Sequence, residues 1–346
     1  MSNVKVSIVV PIYNLEKYIP RCLDALVNQT LEDIEILCVN DGSTDSAPQI
    51  IEDYKKRYPN KVKTFHKENG GEFSARTYGL KQAIGEYVGF MDSDDVPEIT
   101  WAEKLYEAAK KNNADIAFCG YDRVNMDTNE TVSVEMTKYG TNTYEVNFND
   151  ELMLYANPSL WNKIYRLEKV KHLEFLPFRG CNDTLFLISS YMEGLKKLTF
   201  IPDVLYHYYL RSNSQIHNLT EKDIGNLKAN FLVIKERAIE KNIYKEFENM
   251  LSAMVFIHLG IAWGYLVSYN SDIKIGKLIK EIIEYMDQNF ITWRKNKFFK
   301  FLNCFPKGFK HIGIWGVHLL YRMGLPIVFI KVNRFIGDTL KIEVKW

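Results

Sequence analysis

The amino-acid sequence predicts an α/β fold, a mostly parallel sheet flanked by helices and followed by a helical C-terminal region. Two observations carry that reading. Over the first 125 residues, short β-branched runs alternate with amphipathic stretches of ten or more residues, the pattern of parallel strands joined by crossover helices. After Asn218 the strand-like runs stop and the chain reads as helix, with no repeat and no low-complexity linker.

The apolar runs are Val6–Val10, Ile34–Val39, Val62–Phe65, Tyr87–Met91 and Ile116–Cys119. Helices are expected between them over Glu16–Asn28, Ala47–Arg57, Ser74–Ala83 and Trp101–Lys111. From about Asn125 this beat is lost. Polar residues 125–149 lead into Trp161-Asn162-Lys163-Ile164-Tyr165 and an aromatic-rich stretch ending near His217. Three parts are therefore expected: 1–125, a second subdomain over 126–217 that closes on the first, and a helical region over 218–346.

Two stretches of the helical region stand out. Met250–Tyr269 has twenty residues without Asp, Glu, Lys or Arg, a length that can span a bilayer. Ser252, His258, two glycines and Ser268 dilute its apolarity, so a buried helix is the better reading. Trp293–Phe335 holds nine Lys and Arg (294, 295, 297, 300, 307, 310, 322, 331, 334) and no acidic residue. Phe298, Phe299, Phe301, Phe305, Trp315 and Tyr321 are interleaved with them, which suits either a solvated basic face or a peripheral contact with an anionic membrane surface.

Composition bounds the function classes. Apolar residues at 47% and charged residues at 25% describe a globular chain, and a net charge of +1 excludes a strong whole-protein field for nucleic acid. The five cysteines are far apart, and Cys22, Cys38 and Cys119 lie in apolar runs, as buried thiols in a reducing compartment do. The first residues run straight into a strand without the apolar core and cleavage site of a signal peptide, so a cytoplasmic chain is expected. The Asn-x-Ser/Thr triplets at Asn28, Asn129 and Asn218 then carry no meaning.

Ligands of a parallel sheet bind beyond the carboxyl ends of its strands, so the polar residues there are the ones to read. The first strand ends in Pro11-Ile12-Tyr13-Asn14, where the proline is expected to stop the ladder. The second ends in Asn40-Asp41-Gly42-Ser43-Thr44-Asp45, which places the Asp41 carboxylate for a base or ribose, or makes a capped turn and nothing more. After the third comes Asn69-Gly70-Gly71, opening a helix that carries Arg76 one turn in; a helix N-terminus of this kind favours anions. It matches neither the dinucleotide fingerprint nor the P-loop. The fourth strand runs into Asp92-Ser93-Asp94-Asp95. Three carboxylates in four residues repel one another unless a cation neutralises them, and hard oxygen ligands suit Mg²⁺ or Mn²⁺.

Pro-x-Tyr-Asn, Asn-Asp-Gly-Ser, Asn-Gly-Gly-x-x-Ser-Ala-Arg and Asp-Ser-Asp-Asp, in this order at successive strand ends, resemble glycosyltransferase family 2 over residues 4–125, and more weakly to about 217. The resemblance implies a GT-A fold, a nucleotide diphosphate sugar donor (most often UDP-linked) and one divalent metal, Mn²⁺ or Mg²⁺. It implies that Pro11, Tyr13 and Asn14 line the nucleotide pocket, that Asp41 holds the base with Arg76 nearby, that Asp92 reaches the ribose or donor sugar, and that Asp94, with Asp92, binds the metal. Asn40 and Thr77 stand where the family usually has Asp and Asn, so altered contacts are expected there. Asn182-Asp183 matches the family's usual Glu-Asp, which makes Asp183 the candidate general base; the bland reading is a helix cap. One base with no carboxylate nucleophile implies inversion at the anomeric carbon, by analogy with glycosidases.

In Leu205–His217, which resembles the family's segment over the pyrophosphate, Arg211 and Ser214 suit phosphate oxygens. His207 or His217 would complete a metal shell, although a histidine in such a strand is more often a packed one. Trp161 and Lys163 are candidates for the acceptor cleft. The function implied is inverting glycosyl transfer to a glycan or lipid-linked acceptor in surface-polysaccharide synthesis, such as capsule or lipopolysaccharide. The alternatives are a non-catalytic sugar-nucleotide-binding module and a nucleotidyltransferase. The latter would need a Gly-rich, basic N-terminal loop, which Ser7–Asn14 lacks.

Overall fold

The computed structural model describes residues 4–176, 182–210, 220–269, 274–305 and 309–340. Its first part is β1 (Val6–Ile12), α1 (Ile19–Val27), β2 (Ile34–Asp41), α2 (Ala47–Arg57), β3 (Val62–Lys67), α3 (Glu72–Gln82) and β4 (Tyr87–Phe90). The two-residue β5 (Val96–Pro97), α4 (Trp101–Asn112) and β6 (Ile116–Asn125) follow. β1 pairs in parallel with β2 and β4, and β2 with β3. Every residue of β1, β2 and β4 is buried, which is why these strands are near-continuous apolar runs instead of alternating ones.

Pro11 does not stop β1, contrary to the sequence-based expectation. It lies inside the strand opposite Val39. On the β4 side the ladder reaches Met91 N–H donating to the Val9 carbonyl at 2.9 Å. The next donor on that side of a parallel ladder would be Pro11, which has none, so the proline ends one ladder and leaves the other intact.

The chain after residue 125 extends the same sheet. β7 (Thr131–Glu135), β8 (Thr143–Glu145), β9 (Lys163–Arg166) and β10 (Lys197–Leu210) complete the order β3-β2-β1-β4-β9-β6-β10-β5, with β7 beside β6 and β8 beside β10. β9 lies antiparallel between β4 and β6, and so carries the Trp-Asn-Lys-Ile-Tyr segment to the centre of the sheet. Between these strands are α5 (Glu151–Tyr155), α6 (Leu167–Val170) and α7 (Asn182–Met192).

The chain forms two compact units, one holding the whole sheet, the other holding α5 and the helices from residue 220 on. The second contains α8 (Glu221–Glu240), α9 (Tyr244–Val255), a π-helical run over Phe256–Trp263, α10 (Gly264–Leu266), α11 (Ile275–Asn289), α12 (Phe301–Cys304), α13 (Phe309–Arg322) and α14 (Pro326–Leu340). Thr220 and Asp223 close a capping box at the start of α8. The helix Tyr244–Leu266 is long and apolar enough to cross a membrane, yet 72% of its most apolar window is buried inside the protein. Met250, Leu251, Phe256, Leu259 and Ile261 are fully enclosed there, so the run is a core helix as the diluted apolarity predicts.

Candidate active site

The acidic turn after β4 is organised by a single cation. Arg76, on α3, is 3% exposed, and its guanidinium meets Asp92 at 2.7 Å, Asp183 at 2.9 Å and Glu72 at 2.5 Å. Glu72 and Arg76 are one helical turn apart, whereas Asp92 arrives from the end of β4 and Asp183 from the first turn of α7. Burial alone would favour loss of the Arg76 proton, but the three carboxylates outweigh it and keep the guanidinium charged. One positive charge shared by three carboxylates leaves the cluster net negative.

The titration of its members follows. Asp183 keeps 31% of its side-chain surface exposed. Its carboxyl is raised above the ordinary value by desolvation first, opposed by Arg76, then raised further by Asp92. Glu72 is pulled down most by Arg76, but desolvation and the Asp92, Asp183 and Asp94 charges prevail and lift it to about 7. Asp95 lies beneath this cluster, 1% exposed. Tyr206 Oη donates to its Oδ2 at 2.6 Å and the Tyr209 N–H to its Oδ1 at 2.9 Å, which ties the acidic turn to β10. Burial, then the neighbouring Asp94 and Asp92 charges, push Asp95 well above the carboxylate range. Arg21 of α1 donates to the Asp94 carbonyl at 2.8 Å and lies 3.7 Å from the centre of the Tyr209 ring, so α1, the turn and β10 are clamped together.

The neighbouring strand ends form a braced edge. Asn14 adopts a left-handed backbone (φ 53°). Its N–H donates to Ser43 Oγ at 3.0 Å and its Oδ1 accepts from the Thr44 N–H at 2.8 Å, linking the loops after β1 and β2. Glu16 and Asp45 brace the same loops reciprocally, Asp45 Oδ2 accepting from the Glu16 N–H and Glu16 Oε2 from the Ser46 N–H. A shallow hollow of about 400 Å³ opens there, lined by Asn14, Leu15, Glu16, Lys17, Tyr18, Thr44 and Asp45. Tyr13, 48% exposed, projects beside it in sequence, and Pro11 is buried in the strand below.

Asp41 departs from expectation. It is 1% exposed; Oδ1 accepts from Lys67 Nζ at 2.5 Å and the Gly70 N–H at 3.0 Å, and Oδ2 from the Gly71 N–H at 2.8 Å. Both oxygens are thus engaged in holding the Gly-Gly turn that starts α3. That turn needs glycine at 71, where φ is +87°. The two residues that differ from the family pattern have partners of their own: Asn40 Oδ1 accepts from the Ser43 N–H at 3.0 Å, and Thr77 Oγ1 accepts from the Phe175 N–H at 3.0 Å.

The remaining candidates divide. Lys163 is fully buried and does not line an open cleft: its ammonium donates to the carbonyls of Asn157 and Ser159, and desolvation pulls its pKa down to about 7. Trp161 is 7% exposed, stacked on Tyr206 at 4.3 Å and Tyr208 at 5.5 Å, a packing role. Both ring nitrogens of His207 are engaged, by Asp122 at 2.8 Å and Glu98 at 3.0 Å, which leaves neither for a metal. Arg211, Ser214 and His217 lie outside the described residues. Glu72, Arg21 and Lys67 are members of the site that reading strand ends alone misses; of these only Glu72, four residues before Arg76, had a local signal.

Comparison with known proteins gives the family and the fold. The family model for Glycosyl transferase family 2 matches residues 7–174. The uncharacterized glycosyltransferase EpsJ of Bacillus subtilis is 32% identical over 271 residues, 74% of this chain and 71% of its own. The poly(ribitol-phosphate) beta-glucosyltransferase of Bacillus spizizenii is 33% identical over 215 residues, 61% of this chain and 33% of its own. Among solved structures, S. aureus TarS 1–349 in complex with UDP-GlcNAc superposes with a TM-score of 0.70 at 21% identity, covering 96% of this chain and 92% of that one. That likeness shows the GT-A fold.

Proposed function

Because the chain belongs to glycosyltransferase family 2, we propose that it is an inverting enzyme that moves a sugar from a UDP-linked donor to a hydroxyl of a glycan or lipid-linked acceptor in surface-polysaccharide synthesis. The observation that carries the reading is the Arg76 cluster, which brings Asp92 and Asp183, far apart in sequence, onto one guanidinium at the carboxyl end of β4. The poly(ribitol-phosphate) glucosyltransferase and the UDP-GlcNAc complex support the polymer and the donor class.

In this reading Asp183 is the general base. Arg76 holds its Oδ1, and Oδ2 accepts the proton of the acceptor hydroxyl while that oxygen attacks the anomeric carbon. The bond to the diphosphate breaks on the opposite face, which inverts the carbon, and the leaving group departs as the nucleoside diphosphate. Among the described residues no three His, Cys, Asp or Glu are grouped as a closed metal cage. Asp92 and Asp94 nevertheless fit an ion of the Mg²⁺ or Mn²⁺ type, which takes one or two carboxylates and completes its shell from phosphate and water. Such an ion, once bound, would neutralise the diphosphate. Tyr13, Asn14 and the hollow beside them are the candidate nucleoside end of the site, and Arg211 and Ser214 its candidate diphosphate donors. A lipid-linked acceptor would place the enzyme on the cytoplasmic side of the membrane.

The test is a panel of nucleoside diphosphate sugars with and without Mn²⁺, read by melting temperature. One UDP-sugar is expected to stabilise the protein only with the ion present, by about 2.7 kcal/mol at a hundredfold excess over Kd. No stabilisation by any member would refute the donor assignment, and equal stabilisation in chelator would refute the metal.

A further inference from the structure

We propose that α12, α13 and the start of α14 form a docking surface for an anionic lipid bilayer. The surface is apolar where a soluble helical unit has no reason to be. Leu302 is 83% exposed, Met323 62%, Phe305 60% and Val332 51%. Phe301 lies 5.3 Å from Phe305 and 4.9 Å from Trp315, ring centre to ring centre, so α12 and α13 present one continuous aromatic edge. Trp315 and Leu319, four residues apart on α13, continue that edge along one side of the helix, and Met323 keeps the spacing one residue past its end. On α14, Val328, Lys331 and Val332 are exposed while Phe329, Ile330 and Asn333 are buried.

The structure separates this face from the aromatics that serve the core. Phe298, Phe299 and Tyr321, which the sequence offers equally for a membrane, are 3%, 2% and 0% exposed; Phe299 packs against Phe256 and His318, and Tyr321 against Phe256. Lys295, Lys300, Arg322, Lys331 and Arg334 are exposed on the same elements and the turns that precede them. Nine cations and no anion over Trp293–Phe335, in a chain whose net charge is +1, leave the rest of the chain at −8. Positive charge is thus concentrated in this segment, which an anionic surface can meet while the net charge of the remainder is negative.

The occupant follows from the two properties together. A second copy seated on the same face would set cation against cation. A nucleic acid would match the charge but leave Leu302, Phe305 and Met323 in water. A bilayer with anionic headgroups satisfies both, the basic side chains at the phosphates and the apolar ones among the acyl chains. The proposal adds a surface to the transfer reading without resting on it.

The full chain, without donor or acceptor, is sedimented with vesicles of phosphatidylcholine alone or with about one third phosphatidylglycerol. Binding is expected to the anionic vesicles and not to the neutral ones. Lys300→Gln, Arg322→Gln and Lys331→Gln combined should weaken it about a hundredfold, each cation contributing about fivefold. Leu302→Glu, Phe305→Glu and Met323→Glu combined should abolish it with the melting temperature little changed, because each side chain is at least 60% exposed. Failure of the native chain to sediment with anionic vesicles would overturn the proposal, as would full binding by both variants. So would a native dimer in light scattering that the Glu variant converts to monomer.

Discussion

Arg76 is asked to hold three carboxylates with one charge, and its removal should be felt in proton affinity before anything else. A base works in its ionised form, so the acid limb of activity rises as Asp183 loses its proton. Without the guanidinium, burial and the Asp92 charge act on Asp183 against the weaker pull of Lys163 alone, and its pKa rises further. Arg76→Ala should therefore move the acid limb to higher pH by about one unit or more, and Arg76→Lys should move it less. A pH–rate profile whose limb stays in place in Arg76→Ala would show that Asp183 is not the titrating base. At this scale the sequence singled out Asp92, at a strand end, and Asp183, in the first turn of a helix, and the structure brings both carboxylates to Arg76. It misled at Asp41 and Lys163, whose side chains turn inward: both sit at strand ends or in motifs that read as ligand-facing, but main-chain donors and carbonyls reach them first. Orientation of that kind depends on partners thirty residues away or on the depth of a central strand, and no local spacing encodes it.

The elements were more legible than the contacts. Five apolar runs became β1, β2, β3, β4 and β6 and four amphipathic stretches became α1 to α4, most of them within a residue or two at each end. Their burial on both faces writes itself into composition. Of the later strands β7, β8 and β9 were not legible, because β7 and β8 lie largely exposed and β9 is only four residues long. The site depends on how closely α3 lies on the sheet, since α3 carries Arg76. Gly79 sets that distance: a Cβ there would stand 2.4 Å from Val9 Cγ1 and 3.3 Å from Val39 Cγ2, on β-branched side chains that cannot swing aside. Gly79→Ala should cost about 1–3 kcal/mol in denaturant unfolding and weaken donor binding as α3 lifts. A stability within error of the native chain would mean that α3 packs less tightly than the structure shows.

At the scale of the whole molecule, every described candidate for donor binding and proton transfer belongs to the unit that contains the sheet, while the exposed apolar and basic face belongs to the helical unit. Chemistry and membrane attachment are thus assigned to separate units, and each can be abolished without the other. The claim on which the chemistry rests is that Asp183 receives the acceptor's proton in a site assembled by Arg76. Asp183→Asn keeps an oxygen for Arg76 and loses the basic one, so the split between binding and turnover is the most direct measure of that claim. Donor affinity is predicted to stay near the native value while transfer falls by a factor on the order of 10²–10⁴. Native turnover in this variant, or an equal loss of donor affinity and transfer, would contradict the account.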